Sequence, residues 1–175
     1  MSIRRELEML EKYAKGFGVN VGCGMQPIGN SMGVDLYEGS TAIIKAQAFD
    51  LPFMNGVLDH VIACNVFEHI DRGPIITLRE WARCLKFGGS CAVVVPDASY
   101  GTWSMTGDRG VPGQLCKPER AMEHLHAFTT ETLKMLFVFA GFKILKCEVI
   151  DREPVRPERT ILCAGIKSDA YMGES

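Results

Sequence analysis

At 175 residues, with 47% hydrophobic and 23% charged side chains, the chain is long enough for one domain with a substantial core. A formal net charge of -2, carried by scattered Lys and Arg, excludes a phosphate-driven nucleic-acid binder, which needs clustered basic residues. No apolar run reaches the roughly 18 residues that span a bilayer, and the charged amphipathic start does not read as a signal peptide, so a cytoplasmic protein with no membrane partner is expected. Arg152, Arg156 and Arg159 form the one late basic grouping, and the prolines within it make it a solvated loop. The seven cysteines are odd in number and no pair forms a CxxC, so no zinc site is expected from them. Several lie in apolar, strand-like runs, where free cysteine acts as a small hydrophobe suited to a reducing compartment.

Residues 2–15 read as an amphipathic helix that Ser2 caps, with Ile3, Leu7, Leu10 and Ala14 at helical spacing and Gly16 and Gly18 as stops. An apolar strand over residues 17–21 runs straight into Gly22-Cys23-Gly24. Residues 33–36 form a second short strand carrying Asp35, and residues 42–48 a third, followed by Phe49-Asp50-Leu51-Pro52-Phe53. Residues 58–64 are mostly apolar, as in a strand covered on both faces. Pro74 opens a helix with Ile75, Leu78, Trp81, Ala82 and Leu85 on one face, and Gly88-Gly89 ends it. A β-branched strand follows over 90–95. Residues 97–120 are rich in Gly, Pro, Ser and Thr and read as a long loop, a length that is often functional. Thr129 or Thr130 caps a helix through Ala140, and strands over 143–150 and 160–166 close the chain.

Strands alternating with helices indicate parallel βαβ units. The last two strands, with no helical pattern between them, indicate an antiparallel hairpin at one edge. The expected fold is a single Rossmann-like α/β domain over 1–175, a three-layer sandwich around a mostly parallel seven-stranded sheet. Ligands of such sheets bind beyond the carboxyl ends of the strands, where the glycines and acids of this chain fall.

Gly22 and Gly24 flank one small residue directly after a strand. Glycine there permits torsions closed to other residues and close approach of a ligand to backbone N–H groups, although any tight turn needs glycine too. The third glycine of a dinucleotide fingerprint is missing, since Pro27 follows. Asp35 ends the second strand, where a carboxylate can accept both hydroxyls of a ribose or form a turn. Asp50 precedes Leu51-Pro52-Phe53, a place for an adenine amino group between apolar neighbours. Asn65 stands just past the fourth strand, with Glu68 and His69 beyond it.

In this order the residues resemble a class I S-adenosylmethionine (SAM)-dependent methyltransferase of the small type 11 kind. Residues 19–24 resemble its glycine motif, Gly33-Val34-Asp35 its ribose-binding acid and residues 48–53 its adenine-binding stretch. Residues 58–70 resemble its fourth strand with the Glu-His ending, and residues 78–89 the helix and double glycine that follow. His126-Ala127-Phe128-Thr129 and Ala140-Gly141-Phe142 also have counterparts. The resemblance implies SAM as cofactor, held by Gly22, Cys23, Gly24, Asp35, Leu36, Asp50, Leu51 and Asn65, and methyl transfer to a small-molecule acceptor. There are departures. Asn20 stands where the family often has an acid. Only ten residues separate Gly24 from Asp35, too few for a full crossover helix, so the first βα helix is expected to shrink to a loop or single turn. The same shortening occurs in a subgroup linked by resemblance to sugar or cell-envelope chemistry. It leaves one side of the cofactor to be covered by a second copy or a partner chain.

Methyl transfer needs mainly alignment, and a base adds roughly 10²–10⁴-fold when the acceptor must lose a proton. His69 is the first candidate base, with His126 and His124 after it. His124 and His126 lie two apart with no third ligand nearby in sequence, so no metal is expected. Tyr100, Trp103 and Met105 in the long loop either form a lid or pack it onto the sheet. Two other readings are a SAM-binding protein without catalysis and a nicotinamide-dependent oxidoreductase. The missing third glycine and the Asp-Leu-Pro-Phe run count against the latter. Asn65-Val66-Phe67-Glu68 lacks the catalytic loop of DNA adenine methyltransferases.

Overall fold

A computed structural model describes residues 2–99, 124–151 and 159–168. The long loop with Tyr100, Trp103 and Met105 lies almost wholly outside the described residues.

Six strands, β1 (Gly18–Val21), β2 (Met32–Val34), β3 (Leu58–Cys64), β4 (Leu85–Pro96), β5 (Phe142–Asp151) and β6 (Arg159–Lys167), form one sheet in the order β2-β1-β3-β4-β6-β5. Strands β1 to β4 pair in parallel, while β6 runs antiparallel to both β4 and β5. Alternate residues of the central strands serve opposite faces, as the two-residue period of a strand requires. Val61, Ala63, Cys91, Val93, Val95, Ile161 and Cys163 pack with Leu78 and Trp81 of α2 (Pro74–Cys84) and with Leu133 and Phe137 of α3 (Thr130–Phe139). Ile62, Ala92, Val94, Leu162 and Ala164 pack on the other face with Leu10 of α1 (Ser2–Glu11). Helices therefore cover both faces of a mixed α/β sheet. Among the described residues no helix is long and apolar enough to cross a membrane.

Among the described residues the sheet has six strands where seven are expected from the sequence. Residues 42–48 alternate between exposed and half-buried as an edge strand would. They pair with β2 only at Val34↔Ile44, through Ile44 N–H to the Gly33 carbonyl and Asp35 N–H to the Ile44 carbonyl. With β2 only three residues long, no longer ladder forms. The second helix also ends earlier than its Gly88-Gly89 signal. Leu85 is already extended (φ -74°, ψ 142°) and pairs with Leu58, and the glycines sit inside β4 where its register against β3 shifts. The α3 start matches its signal. The Thr129 hydroxyl accepts the Thr132 N–H and the Thr132 hydroxyl accepts the Thr129 N–H, a reciprocal capping box.

Residues 22–31, which join β1 to β2, contain no helix. Asn20 holds this loop from below. Its side chain is buried, Oδ1 accepts the Ile28 N–H at 3.1 Å, and Nδ2 faces the Val21 and Ile62 carbonyls at 3.2 and 3.3 Å. An ionised carboxylate cannot donate to those carbonyls, and a protonated one could serve only one of them, which explains the amide at this position.

Candidate functional site

The glycine turn is built around β2. The Gly22 and Cys23 N–H groups both donate to the Val34 carbonyl, at 2.7 and 3.3 Å. The Gly24 N–H donates to Asp35 Oδ2 at 2.8 Å, and Asp35 Oδ1 accepts the Tyr37 N–H at 2.9 Å. The turn amides, which glycine would let a ligand approach, are thus satisfied within the protein, and Asp35 fixes the turn directly. Gly22 (φ 64°) and Gly24 (φ 56°) both need the left-handed region. A Cβ on Gly22 would meet Val66 Cγ2 at 2.3 Å, whereas one on Gly24 would meet nothing within 4 Å. The first glycine therefore admits the segment after β3, and the second opens onto free space. Cys23 is buried, and that burial, helped by the charge of Asp35, pushes its thiol above the usual range. It is no thiolate nucleophile. Leu36 is exposed.

Asp50 is exposed, and Leu51 beside it is buried. Sequence reasoning took α2 here only as a packing helix, yet three of its polar groups hold this stretch. Trp81 Nε1 donates to the Ala48 carbonyl at 2.8 Å, and Glu80 Oε1 accepts the Leu51 N–H at 2.8 Å. Arg83 donates to the Leu51 and Phe53 carbonyls and to Glu80. Burial, the largest single influence on Glu80, would raise its carboxyl. The hydrogen bonds from Arg83 and Leu51 together hold it below the usual range, and Glu80 in turn pushes Arg83 upward.

Asn65 is the one non-glycine residue with positive φ (51°) among the described residues. Its N–H donates to the Val94 carbonyl, and Nδ2 lies 3.4 Å from Glu6 Oε2 of α1. Its Oδ1 is buried without a hydrogen-bond partner. The chain then enters a single 3₁₀ turn, Phe67–His69, whose Glu68 is buried. The Glu68 carbonyl accepts the Leu125 and His126 N–H groups, and the Phe67 ring stacks on Phe128 at 5.2 Å. That strap brings His124 beside His69, with ring centroids 4.8 Å apart. Glu68 Oε1 lies 3.8 Å from His69 Nε2 and 4.0 Å from His124 Nε2. His126 is used otherwise. It is buried, Nε2 donates to the Ile70 carbonyl at 2.8 Å, and burial lowers its pKa, so it is a neutral structural pin. Of the two histidines expected to act in catalysis, only His69 stands in the cluster, with His124 in place of His126. Two surface cavities of about 610 and 450 Å³ lie at the opposite, amino ends of the parallel strands, around Lys86 and around Arg79, and are not this site.

The residues present fit SAM. A carboxylate with lone pairs to spare, an open space over Gly24 and the orphaned Asn65 Oδ1 stand at successive carboxyl ends of β2, β1 and β3. Residues 7–93 match the family model described as a methyltransferase domain. No curated protein matches the chain. Among solved structures, Burkholderia thailandensis 1,6-didemethyltoxoflavin-N1-methyltransferase, with 1,6-didemethyltoxoflavin and S-adenosylhomocysteine bound, superposes with a TM-score of 0.72 at 15% identity, covering 96% of this chain and 79% of that one. A SAM-dependent methyltransferase of Methanosarcina mazei gives 0.66 at 16% identity over 91% and 97%. The [4+2]-cyclase SpnF gives 0.67 at 15% identity over 94% and 81%. At these identities the likeness is one of fold, and the cyclase shows that the fold also carries other chemistry. The chain is thus similar to the methyltransferase-domain family over residues 7–93, just under half of its length, and shares the fold of SAM-dependent methyltransferases.

Proposed function

We propose that the protein transfers a methyl group from SAM to a small-molecule acceptor, an oxygen of a sugar or cell-envelope precursor being the first class to test. The observation that carries the reading is the junction of Gly24, Asp35 and the segment Asn65–His69 at one end of the sheet. Asp35 is the ribose-binding acid, and its bond to Gly24 keeps the turn in one shape. Leu36, Asp50 and Leu51 form the adenine side, which Glu80, Trp81 and Arg83 keep in place. Gly22, Cys23 and Asn65 line the remainder. SAM, when bound, supplies a methyl carbon already activated on a sulfonium. The protein's part is to align the acceptor, a contribution that reaches roughly 7–11 kcal/mol. In this reading His69, half-buried beside Glu68, takes the acceptor's proton where one must leave. Met25, Leu36, Tyr37 and Ile43 are exposed around the turn and β2, and a second copy or partner chain covers this apolar rim.

The test is calorimetry with SAM, S-adenosylhomocysteine and NAD, followed by transfer of labelled methyl to sugar, amine and catechol-like acceptors. SAM binding and label transfer are expected. Asp35→Ala should weaken SAM binding by ~1–3 kcal/mol, the loss of a hydrogen bond to a charged group. Binding of NAD but not SAM refutes the reading, and unchanged affinity in Asp35→Ala removes Asp35 from it. Firm SAM affinity with no label transfer removes the catalytic part.

A further inference from the structure

We infer that Glu68, His69 and His124 form a binding site for one divalent transition-metal ion of the zinc or manganese class. One ligand atom from each lies within 4.8 Å of the other two, and Glu68 Oε1 is 3.8 and 4.0 Å from the two imidazole Nε2 atoms. Two bonds of about 2.0–2.1 Å at tetrahedral angles span roughly 3.3–3.4 Å between ligands. Closing the site therefore asks for small side-chain rotations and no backbone movement.

Three features point to a cation. The Glu68 side chain is 1% exposed, and a carboxylate that deep in a protein is held by ion pairs or by a metal. The two imidazole planes are inclined at 55°, so the rings are not stacked and can converge on a shared point. The scaffold beneath them is fixed. The Leu125 and His126 N–H groups hold the Glu68 carbonyl, the far end of this strap is held by the Ala98 N–H donating to the Phe128 carbonyl, and Phe67 stacks on Phe128. Metal sites work best on such preorganised backbone. Two imidazoles with one carboxylate suit zinc, manganese or iron, whereas magnesium and calcium prefer all-oxygen sets.

Three protein ligands leave at least one position open for water or an acceptor oxygen. One carboxylate and two neutral imidazoles leave a divalent ion with a net charge of +1, which lowers the pKa of a bound hydroxyl. The acceptor's proton then leaves to solvent from a cation-held oxygen, and His69 serves as ligand instead of base. What the cation activates rests on the proposed methyl transfer, but whether it binds does not. The sequence hides the site because its obvious histidine pair, His124 and His126, is not the pair that meets. His69 replaces His126 only through the strap.

Chelator-dialysed full-length protein is titrated by calorimetry with Zn²⁺ and with Mg²⁺, and SAM is titrated separately on the same preparation. One Zn²⁺ per chain and no Mg²⁺ binding are expected, with affinity falling by roughly 100-fold or more in His69→Ala and His124→Ala, since loss even of an outer-shell partner costs 10–100-fold. The two histidines are partly exposed, so these variants keep the fold even where Glu68→Gln does not. Co²⁺ spectra without a thiolate charge-transfer band show that the cysteines are not the ligands. Absence of Zn²⁺ binding, Zn²⁺ affinity unchanged from the wild type in the histidine variants, or a thiolate band overturns the inference. If SAM still binds in that case, the methyltransferase reading stands. If Zn²⁺ binds and SAM does not, that reading fails alone.

Discussion

Replacing Asn20 with Asp changes one NH₂ group to oxygen in a buried site, and its effect can be worked out from the neighbours. Oδ1 keeps the Ile28 N–H, but the second oxygen then faces the Val21 and Ile62 carbonyls at 3.2 and 3.3 Å. An ionised carboxylate there is repelled by both. The less costly state is the protonated acid, which donates to one carbonyl and leaves the other unserved. Taking a proton at pH 7.5 against an unfolded-state pKa of about 3.9 costs about 1.36 × 3.6, or about 5 kcal/mol, and the lost hydrogen bond adds about 1 kcal/mol. At pH 5 the first figure falls to about 1.5 kcal/mol by the same arithmetic. Native domains are stable by only about 5–15 kcal/mol, so the variant is close to unfolded at pH 7.5 and regains structure at pH 5. Urea unfolding of both proteins, followed by the fluorescence of buried Trp81 and by circular dichroism, measures the difference at each pH. A penalty below about 1 kcal/mol at pH 7.5, or one equal at the two pH values, refutes the assigned geometry.

The remaining predictions are these. Burial lowers the pKa of His60, whose Nδ1 donates to the Lys15 carbonyl while Nε2 accepts from the Ser31 hydroxyl. A folded-state pKa below the unfolded value of about 6.5 means that its contribution is complete above that pH and drains away as pH falls through the folded value. His126 acts in the same direction, so urea midpoints should fall between pH 7 and pH 5, and a midpoint that holds or rises there contradicts the assignment. Gly22→Ala places a Cβ 2.3 Å from Val66 Cγ2 at a φ of 64°, and should lower stability by about 1–3 kcal/mol and SAM affinity at least about tenfold. Val66→Ala in the same chain removes the two Cγ contacts but leaves Val66 Cβ at 2.9 Å and the torsional strain, so partial recovery is expected. Full recovery, or none, would show that the contact is misread.

Features legible in the sequence were those set by local chemistry. The strand over 58–64 lies in the middle of the sheet and is mostly apolar, and its bounds match. Thr129 caps α3 because its side chain reaches a backbone N–H three residues on. Errors arose where a neighbour decides. Residues 42–48 have the alternation of a strand, but strand formation needs a partner of matching length, and three-residue β2 offers one pairing. Gly88-Gly89 carries a helix-end signal, yet Leu58 captures Leu85 first and sets the end of α2 at Cys84. Asn20 looked like a departure from a family pattern until the loop it holds was visible.

The same distinction explains the candidate site. In the proposed cofactor half, the glycines and acids sit at strand ends, and a strand end is a place that local sequence defines. The cluster proposed for the acceptor side joins Glu68 and His69 to His124, 55 residues after His69 in the chain, and no spacing rule links them. What links them is backbone: the Glu68 carbonyl takes two N–H groups from the 124–128 strap, and the Phe67–Phe128 stack fixes the strap's far end. His126 supplies the buried hydrogen bond to Ile70 that seats the strap, and so leaves His124 as the partner of His69. A histidine two residues away in sequence differs completely in function because one imidazole is spent on structure and the other is left beside the carboxylate.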